Sequence, residues 1–271
     1  MLRSRFARLK NYLIGSEYLY ERLARSSFWS ILGTGTGQVF TLVLSIVIAR
    51  MLGKTGLGEF GLIRSTIITL GVFAGSGLGL AATKYVPGYR VSSPERAGAV
   101  IGLLLNTSLV AGGILTLGTL VWAAPLAAQL MRASHLIGPL QIGVVLITVN
   151  GVAGVQRGVL AGLDAFKALT WLAAIEGLLV LSACSVGTLV SGLSGTIAGY
   201  ALASIGALVL RHAILIKECE RSGISVSHRN TWGEARILWS FVVPSVLVAA
   251  SVVPFEWCAS VLLARQPDGL G

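Results

Sequence analysis

The chain has 271 residues, of which 54% are hydrophobic and only 12% charged, with a formal net charge of +10 and a mean hydropathy of +0.81. A soluble domain carries about 25% charged residues, so this composition excludes a water-soluble globular protein. The apolar runs are far longer than the roughly ten-residue alternating segments of a membrane barrel, and in lipid only helices or closed barrels satisfy their own backbone. The expected fold is therefore all-α and integral to a membrane, built from spans of about 20 residues each.

Residues 1–27 are the polar N-terminal stretch. Arg3, Arg5, Arg8, Lys10, Arg22 and Arg25 alternate there with Leu2, Phe6, Leu9, Leu13, Tyr18, Leu19 and Leu23, a pattern that suits a basic amphipathic helix on an anionic cytoplasmic leaflet. It is too long for the n-region of a signal peptide, and the apolar run after it is too long for an h-region. An uncleaved first span is expected at 28–49. The second follows at 57–82 with Arg64 inside it, and the third at 99–124 before the helix-stopping Pro125. The fourth is placed at 136–160. Gly177 to Leu210 is free of charge and too long for one span, and the cluster Ser191-Gly192-Leu193-Ser194-Gly195 reads as a tight turn within it. Spans at 168–190 and 195–216 share that run, which forces Glu176 to hydrocarbon depth. A seventh span is expected at 237–263, with Pro244, Pro254 and Glu256 inside it.

Basic residues concentrate on the cytoplasmic side of membrane proteins. With the N-terminus inside, sixteen fall on that side, among them Lys84, Arg90, Arg96, Arg157, Lys167 and Arg211, and four on the other, Arg50, Lys54, Arg132 and Arg265. The positive charge thus reports topology and calls for no nucleic-acid partner. Cys184, Cys219 and Cys258 have neither metal nor disulfide spacing and read as small apolar filler.

Ala49-Arg50, closing on Gly56-Leu57-Gly58, has a shortened echo in Ala264-Arg265, closing on Gly269-Leu270-Gly271. Both copies follow outward-running spans, six helices apart, which describes a parallel repeat as in two-lobed transporters. The expected organisation is a basic segment (1–27), a six-helix transporter lobe (28–216), a cytoplasmic linker (217–236) and the first helix of an incomplete second lobe (237–271), a two-lobe carrier truncated after about seven spans.

Several of these residues also carry a resemblance. Gly37-Gln38 in the first span, Ala49-Arg50-Met51-Leu52-Gly53, Gly58-Glu59-Phe60-Gly61, Gly77-Leu78-Gly79 and Ala81-Ala82 before a basic loop look like bacterial polysaccharide flippases. So do Pro244, Glu256-Trp257 and Leu263-Ala264-Arg265-Gln266-Pro267. These are lipid-linked O-antigen translocases (Wzx type) of the multidrug/oligosaccharidyl-lipid/polysaccharide exporter superfamily. The resemblance implies an alternating-access carrier of the bacterial inner membrane, cation-coupled or assisted by the membrane potential. It would move an undecaprenyl-diphosphate-linked oligosaccharide from the cytoplasmic to the periplasmic leaflet in lipopolysaccharide or exopolysaccharide synthesis. Membrane lipid, a polysaccharide polymerase and glycosyltransferases are the expected partners; no cofactor and no metal are expected.

Charged groups at bilayer depth cost about 2.5–3.5 kcal/mol each on insertion scales, which makes them the candidates for that work. Arg64 lies about 10 Å along its span from Leu57 and could bind the diphosphate through its planar fork; its plain alternatives are snorkelling and pairing with Glu59. Arg157, after Asn150 and Gln156, could contact incoming substrate or simply anchor the helix. Arg50 could attract the anion on release or merely end a helix. Glu176 and Glu256 could take a coupling proton or sodium ion, or balance Arg64 or Arg157. Gly33 with Gly37 and Gly75 with Gly79 have the small-xxx-small spacing of close helix packing. Trp122 and Trp171 read as interface anchors.

Two alternatives stay open: a cation-coupled drug antiporter of the same superfamily, which would want more acids in the lobe, and a fragment that acts only with a second lobe. An enzyme such as a membrane glycosyltransferase is not expected. His135, His212 and His228 have no carboxylate at motif spacing, and the aspartates are the isolated Asp164 and Asp268.

Overall fold

The computed structural model describes residues 2–130, 133–227 and 238–244 together with Leu247, Val248, Ser251 and Phe255, with side chains from Ala24 onward except at Ser76, Gln129, Leu130, Phe241 and Val242. Every regular element among them is helical: α1 (Leu2–Ser92), α2 (Pro94–Pro125), α3 (Ile137–Gly143), α4 (Val145–Gly162) and α5 (Phe166–Arg221), with short 3₁₀ and π turns at Ser134–Leu136, Leu126–Leu130 and Leu238–Val242.

Two of these helices are far longer than the roughly 20 residues that cross a bilayer, and both are broken at a glycine between apolar runs. In α1 the break is Gly53, at φ 75° and ψ −176°. In α5 it is Ser191 followed by Gly192, the latter at φ 57° and ψ −132°. The chain therefore makes six legs: 24–52, 54–92, α2, 134–162 (the 3₁₀ turn, α3 and α4), 166–190 and 193–221. The first six expected spans each fall within one leg. Of the seventh span, residues 238–244, Leu247, Val248, Ser251 and Phe255 are described, and the first of them, Leu238, packs against the lobe; Glu256 and the echo around Arg265 lie outside the described residues.

Positive φ with extended ψ is a region that side chains enter at a cost of about 1–3 kcal/mol. Gly53→Ala is accordingly expected to lower stability by about that amount, read from thermal unfolding in detergent. Gly35→Ala is the control, because Gly35 has open space around it and alanine favours helix. Equal unfolding temperatures would refute a conformational role for Gly53.

Contacts set the direction of each leg. Legs 1 and 5 run parallel, with Gly33 against Thr170 and Phe40 on Gly177. Legs 2 and 4 also run parallel, with Ile67 beside Gly143, Gly75 against Gly151 and Gly79 against Gly154 and Gly158. Leg 3 is antiparallel to leg 4: Ser108 faces Gly151, and Thr116 hydrogen-bonds Thr148 at 2.8 Å. Legs 5 and 6 form a hairpin closed by Thr188 and Thr196, hydroxyl to hydroxyl at 2.8 Å.

Leg 4 is the axis. In its most apolar stretch 56% of residues are buried, against 17% in that of α5. Ile63, Ile67, Leu140, Ile147 and Ile197 form a cluster toward the Gly53 end; Val86, Ile101, Leu104, Val155 and Val159 form another toward the Arg90 end. Facing outward on leg 3 are Leu109, Val110, Ile114, Leu117, Val121 and Trp122, an apolar face for lipid. In hydrocarbon such a face gains nothing from leaving its solvent, so the legs associate by close contact and interhelical hydrogen bonds. This is a multi-pass membrane protein.

Candidate functional site

Legs 1, 2, 5 and 6 enclose a cavity of about 170 Å³ toward the middle of the bundle, lined by Phe40, Thr41, Arg64, Glu176 and Tyr200 among others. Leg 2 turns Ile63 and Ile67 into the apolar cluster, which leaves Arg64 on the flank that meets this space. Gly177, with Phe40 laid over it, lets leg 1 come close, and Tyr200 is held edge-on to Phe60 with ring centroids 6.2 Å apart. Arg64 thus lines a partly open space between the legs, and its Nε is buried with no hydrogen-bond partner among the described residues.

Glu59 does not pair with Arg64. It sits five positions earlier, and only residues three or four apart share a helix face. Its carboxylate meets His135 Nε2 at 2.6 Å, tying leg 2 to the start of leg 4.

Glu176 meets Arg211, whose Nη2 donates to its Oε2 across the leg 5–leg 6 hairpin. The sequence count places Arg211 with the residues facing the cytoplasm; the structure instead buries it at 2% exposure, while Glu176 is 31% exposed, toward the cavity. The physical reason is register. Once the chain reverses at Ser191–Gly192, the antiparallel legs bring 176 and 211 to one depth, and a buried guanidinium is tolerated where a carboxylate meets it. Arg211 is the charged neighbour of this cavity that the sequence did not single out.

A second cavity, about 490 Å³, lies toward the Arg90 end between legs 1, 2, 4 and 5 and shares Ala173 with the first. Arg157 lines it together with Trp29, Thr34, Thr83 and Thr170, over a floor of Gly75, Gly79, Gly154 and Gly158. The absence of side chains along that floor lets legs 2 and 4 touch by backbone while leaving the groove open beside them. Hydroxyls clamp its walls: Thr170 donates to the Trp29 carbonyl at 2.7 Å and Thr83 to the Gly158 carbonyl at 3.3 Å. The Lys167 ammonium lies 5.9 Å from the Trp29 ring centroid. Gln156, by contrast, is buried at 1% exposure and does not line the groove, and its Oε1 has no partner among the described residues.

The structure thus places Arg64 and Glu176 on one cavity with Arg211 behind Glu176, and Arg157 on the adjoining one. Arg50 is exposed at the Gly53 end and lines neither cavity. Glu256 lies outside the described residues. Gly37, expected as a packing glycine, has open space around it and lines the smaller cavity. Among the described residues no group of three His, Cys, Asp or Glu side chains could hold a metal.

Solved transporters share this fold. A MOP superfamily transporter from Pyrococcus furiosus superposes with a TM-score of 0.71 at 16% identity, over 90% of this chain and 63% of that one. An outward-facing multidrug resistance MATE family transporter of the same superfamily gives 0.72 at 16% identity with the same coverage. A MATE protein in complex with MaD5 gives 0.67 at 16%, over 92% of this chain and 65% of that one. At such identities the likeness is one of fold, and this chain spans under two thirds of those transporters' length. No curated protein matches it. The family model described as Polysaccharide biosynthesis protein matches residues 23–263, and this chain belongs to that family.

Proposed function

We propose that the six legs form one lobe of a carrier that moves an undecaprenyl-diphosphate-linked oligosaccharide from the cytoplasmic to the periplasmic leaflet of the bacterial inner membrane. Alternating access of this lobe against a second is the mechanism, and O-antigen or exopolysaccharide assembly is the process it serves. Polysaccharide polymerase and glycosyltransferases are its working neighbours. The N-terminus lies in the cytoplasm, as the sixteen-to-four distribution of basic residues favours. On that orientation the groove holding Arg157 opens toward the cytoplasmic side and receives the headgroup, Arg64 meets it at mid-bundle, and Arg50 stands near the release face.

The observation that carries this reading is Arg64, with its Nε unpartnered and its guanidinium lining the partly open cavity between the legs. A diphosphate leaving the headgroup region needs cationic hydrogen-bond donors, and arginine presents them in a fork that matches phosphate oxygens. Antiport of organic cations, which the fold also allows, would call for a surplus of acids. Here Arg64, Arg157 and Arg211 stand around the cavities against Glu176.

The test is flipping of a fluorescent lipid-linked oligosaccharide in vesicles containing the protein. Hydrogen bonds to charged groups are worth about 1.5–3 kcal/mol, so Arg64→Ala should slow transport about tenfold to a hundredfold, with Arg64→Lys in between. Wild-type rates from the alanine variant would sink the assignment. If the unaltered chain binds the lipid through Arg64 without flipping it, the lobe works only together with a second one.

Cation coupling is assigned to Glu256, and secondarily to Glu176, as acids at bilayer depth. Glu256→Gln should abolish the dependence of transport on an imposed ion gradient; transport that stays gradient-driven would exclude Glu256.

A further inference from the structure

Three charged groups surround the smaller cavity, and they do not balance. Arg64 and Glu176 both line it, and Arg211 reaches Glu176 from behind, out of the buried interface of legs 5 and 6. The Arg64 and Glu176 side chains open on one small space of about 170 Å³, so a rotamer change would turn the Glu176 carboxylate toward Arg64. A carboxylate can accept from two guanidiniums only where both reach its oxygens. In the structure Glu176 Oε2 accepts from Arg211 Nη2, and the buried Nε atoms of Arg64 and Arg211 alike have no hydrogen-bond partner among the described residues.

We propose that Arg211 is a positioning residue whose work is to hold Glu176 away from Arg64, so that Arg64 remains an uncompensated cation facing the cavity. Arg211 contacts no substrate. Without it Glu176 is an unpaired carboxylate at bilayer depth beside an unpaired arginine, and the low-dielectric surroundings drive the two together. The lobe's anion site would then be occupied by its own side chain. The Glu176–Arg211 pair is thus a built-in restraint that keeps the site open, and it accounts for the presence of an arginine at 2% exposure, where an apolar residue would pack without desolvation cost.

This inference rests on the reading of Arg64 as the anion contact, and its test separates the two. Gly37 lines the same cavity and has open space where a side chain would go, so Gly37→Cys supplies a reporter in a background lacking the native cysteines. The quantity measured is the ratio of its reaction rates with an anionic and a cationic methanethiosulfonate reagent, in protein that elutes as a single folded species. Fields in clefts change encounter rates by about tenfold or more, so with Arg211 in place the ratio should favour the anionic reagent by about that factor. Arg211→Met should bring it close to parity. Adding Glu176→Gln to Arg211→Met removes the intruding carboxylate and should restore the anionic preference, and a ratio unmoved in all three would overturn the restraint. Glu176→Gln alone leaves Arg211 buried and uncompensated, so the reversal is read from the double variant, which remains falsifiable if Arg211→Met alone folds poorly.

Binding of inorganic pyrophosphate, followed by its effect on thermal unfolding, gives the second arm. It should be present in the parent, lost in Arg211→Met and regained in the double variant. The predicted order of thiol rates without any pyrophosphate binding would uphold the restraint and overturn the diphosphate reading. Pyrophosphate binding with an Arg211→Met ratio equal to that of the parent, or a double variant that behaves like Arg211→Met, would overturn the restraint.

Discussion

Gly75→Val is expected to eliminate most of the folded protein. A side chain at Gly75 would collide with the backbone of Gly151, and at Gly79, one turn on, with the backbone of Gly154. A flexible side chain could move aside; a helical backbone cannot. Legs 2 and 4 would have to separate along the axis of the bundle, and in lipid nothing but close contact and hydrogen bonding holds helices together. Ordinary overpacking costs about 1–3 kcal/mol, and a backbone collision at the central leg should exceed that range. The measurement is the yield and unfolding temperature of monodisperse protein after detergent extraction. Gly113→Val is the comparison, since Gly113 on leg 3 has open space around it. Similar yields for the two variants would mean that legs 2 and 4 are not in backbone contact.

The second large effect belongs to the ion pair. Glu176→Gln removes the partner of Arg211, which at 2% exposure cannot turn to water. Breaking a buried pair from one side costs about 3–5 kcal/mol. Arg211→Met should cost less, because Glu176 is 31% exposed and retains both the cavity and Arg64 within reach. The double variant Glu176→Gln with Arg211→Met should recover most of the loss, as replacing a buried pair by uncharged groups often does. Chemical unfolding in detergent ranks the three. A Glu176→Gln variant as stable as the double one would show that Arg211 does not depend on its partner.

Much of the fold could be read from particular residues. Gly53 and Ser191–Gly192 sit between apolar runs, and they are where the two overlong helices break, because a charge-free run longer than the bilayer must reverse and only glycine enters positive φ readily. Glu176 was legible as an acid at depth for the same reason. Its partner was not. Arg211 sits near the end of an apolar run, beside basic residues that continue to Arg221, and along the chain it looks like one more member of that series. Whether a guanidinium near a helix end snorkels outward or turns inward depends on what lies across from it, which pairing decides.

The sequence by itself determined the class of this protein, the number of its six described legs, and the charge-free run that must reverse near Ser191–Gly192. Those follow from hydropathy and backbone stereochemistry, which act locally or over one bilayer width. The tertiary structure alone decided that Glu59 is taken by His135, that Gly37 opens a cavity while Gly75 closes a contact, and that Glu176 belongs to Arg211, leaving Arg64 free. Those outcomes depend on rotation about each helix axis and on the register between legs. Side chains far apart in the chain set both, through the fit of backbone against backbone at Gly75, Gly79, Gly151 and Gly158.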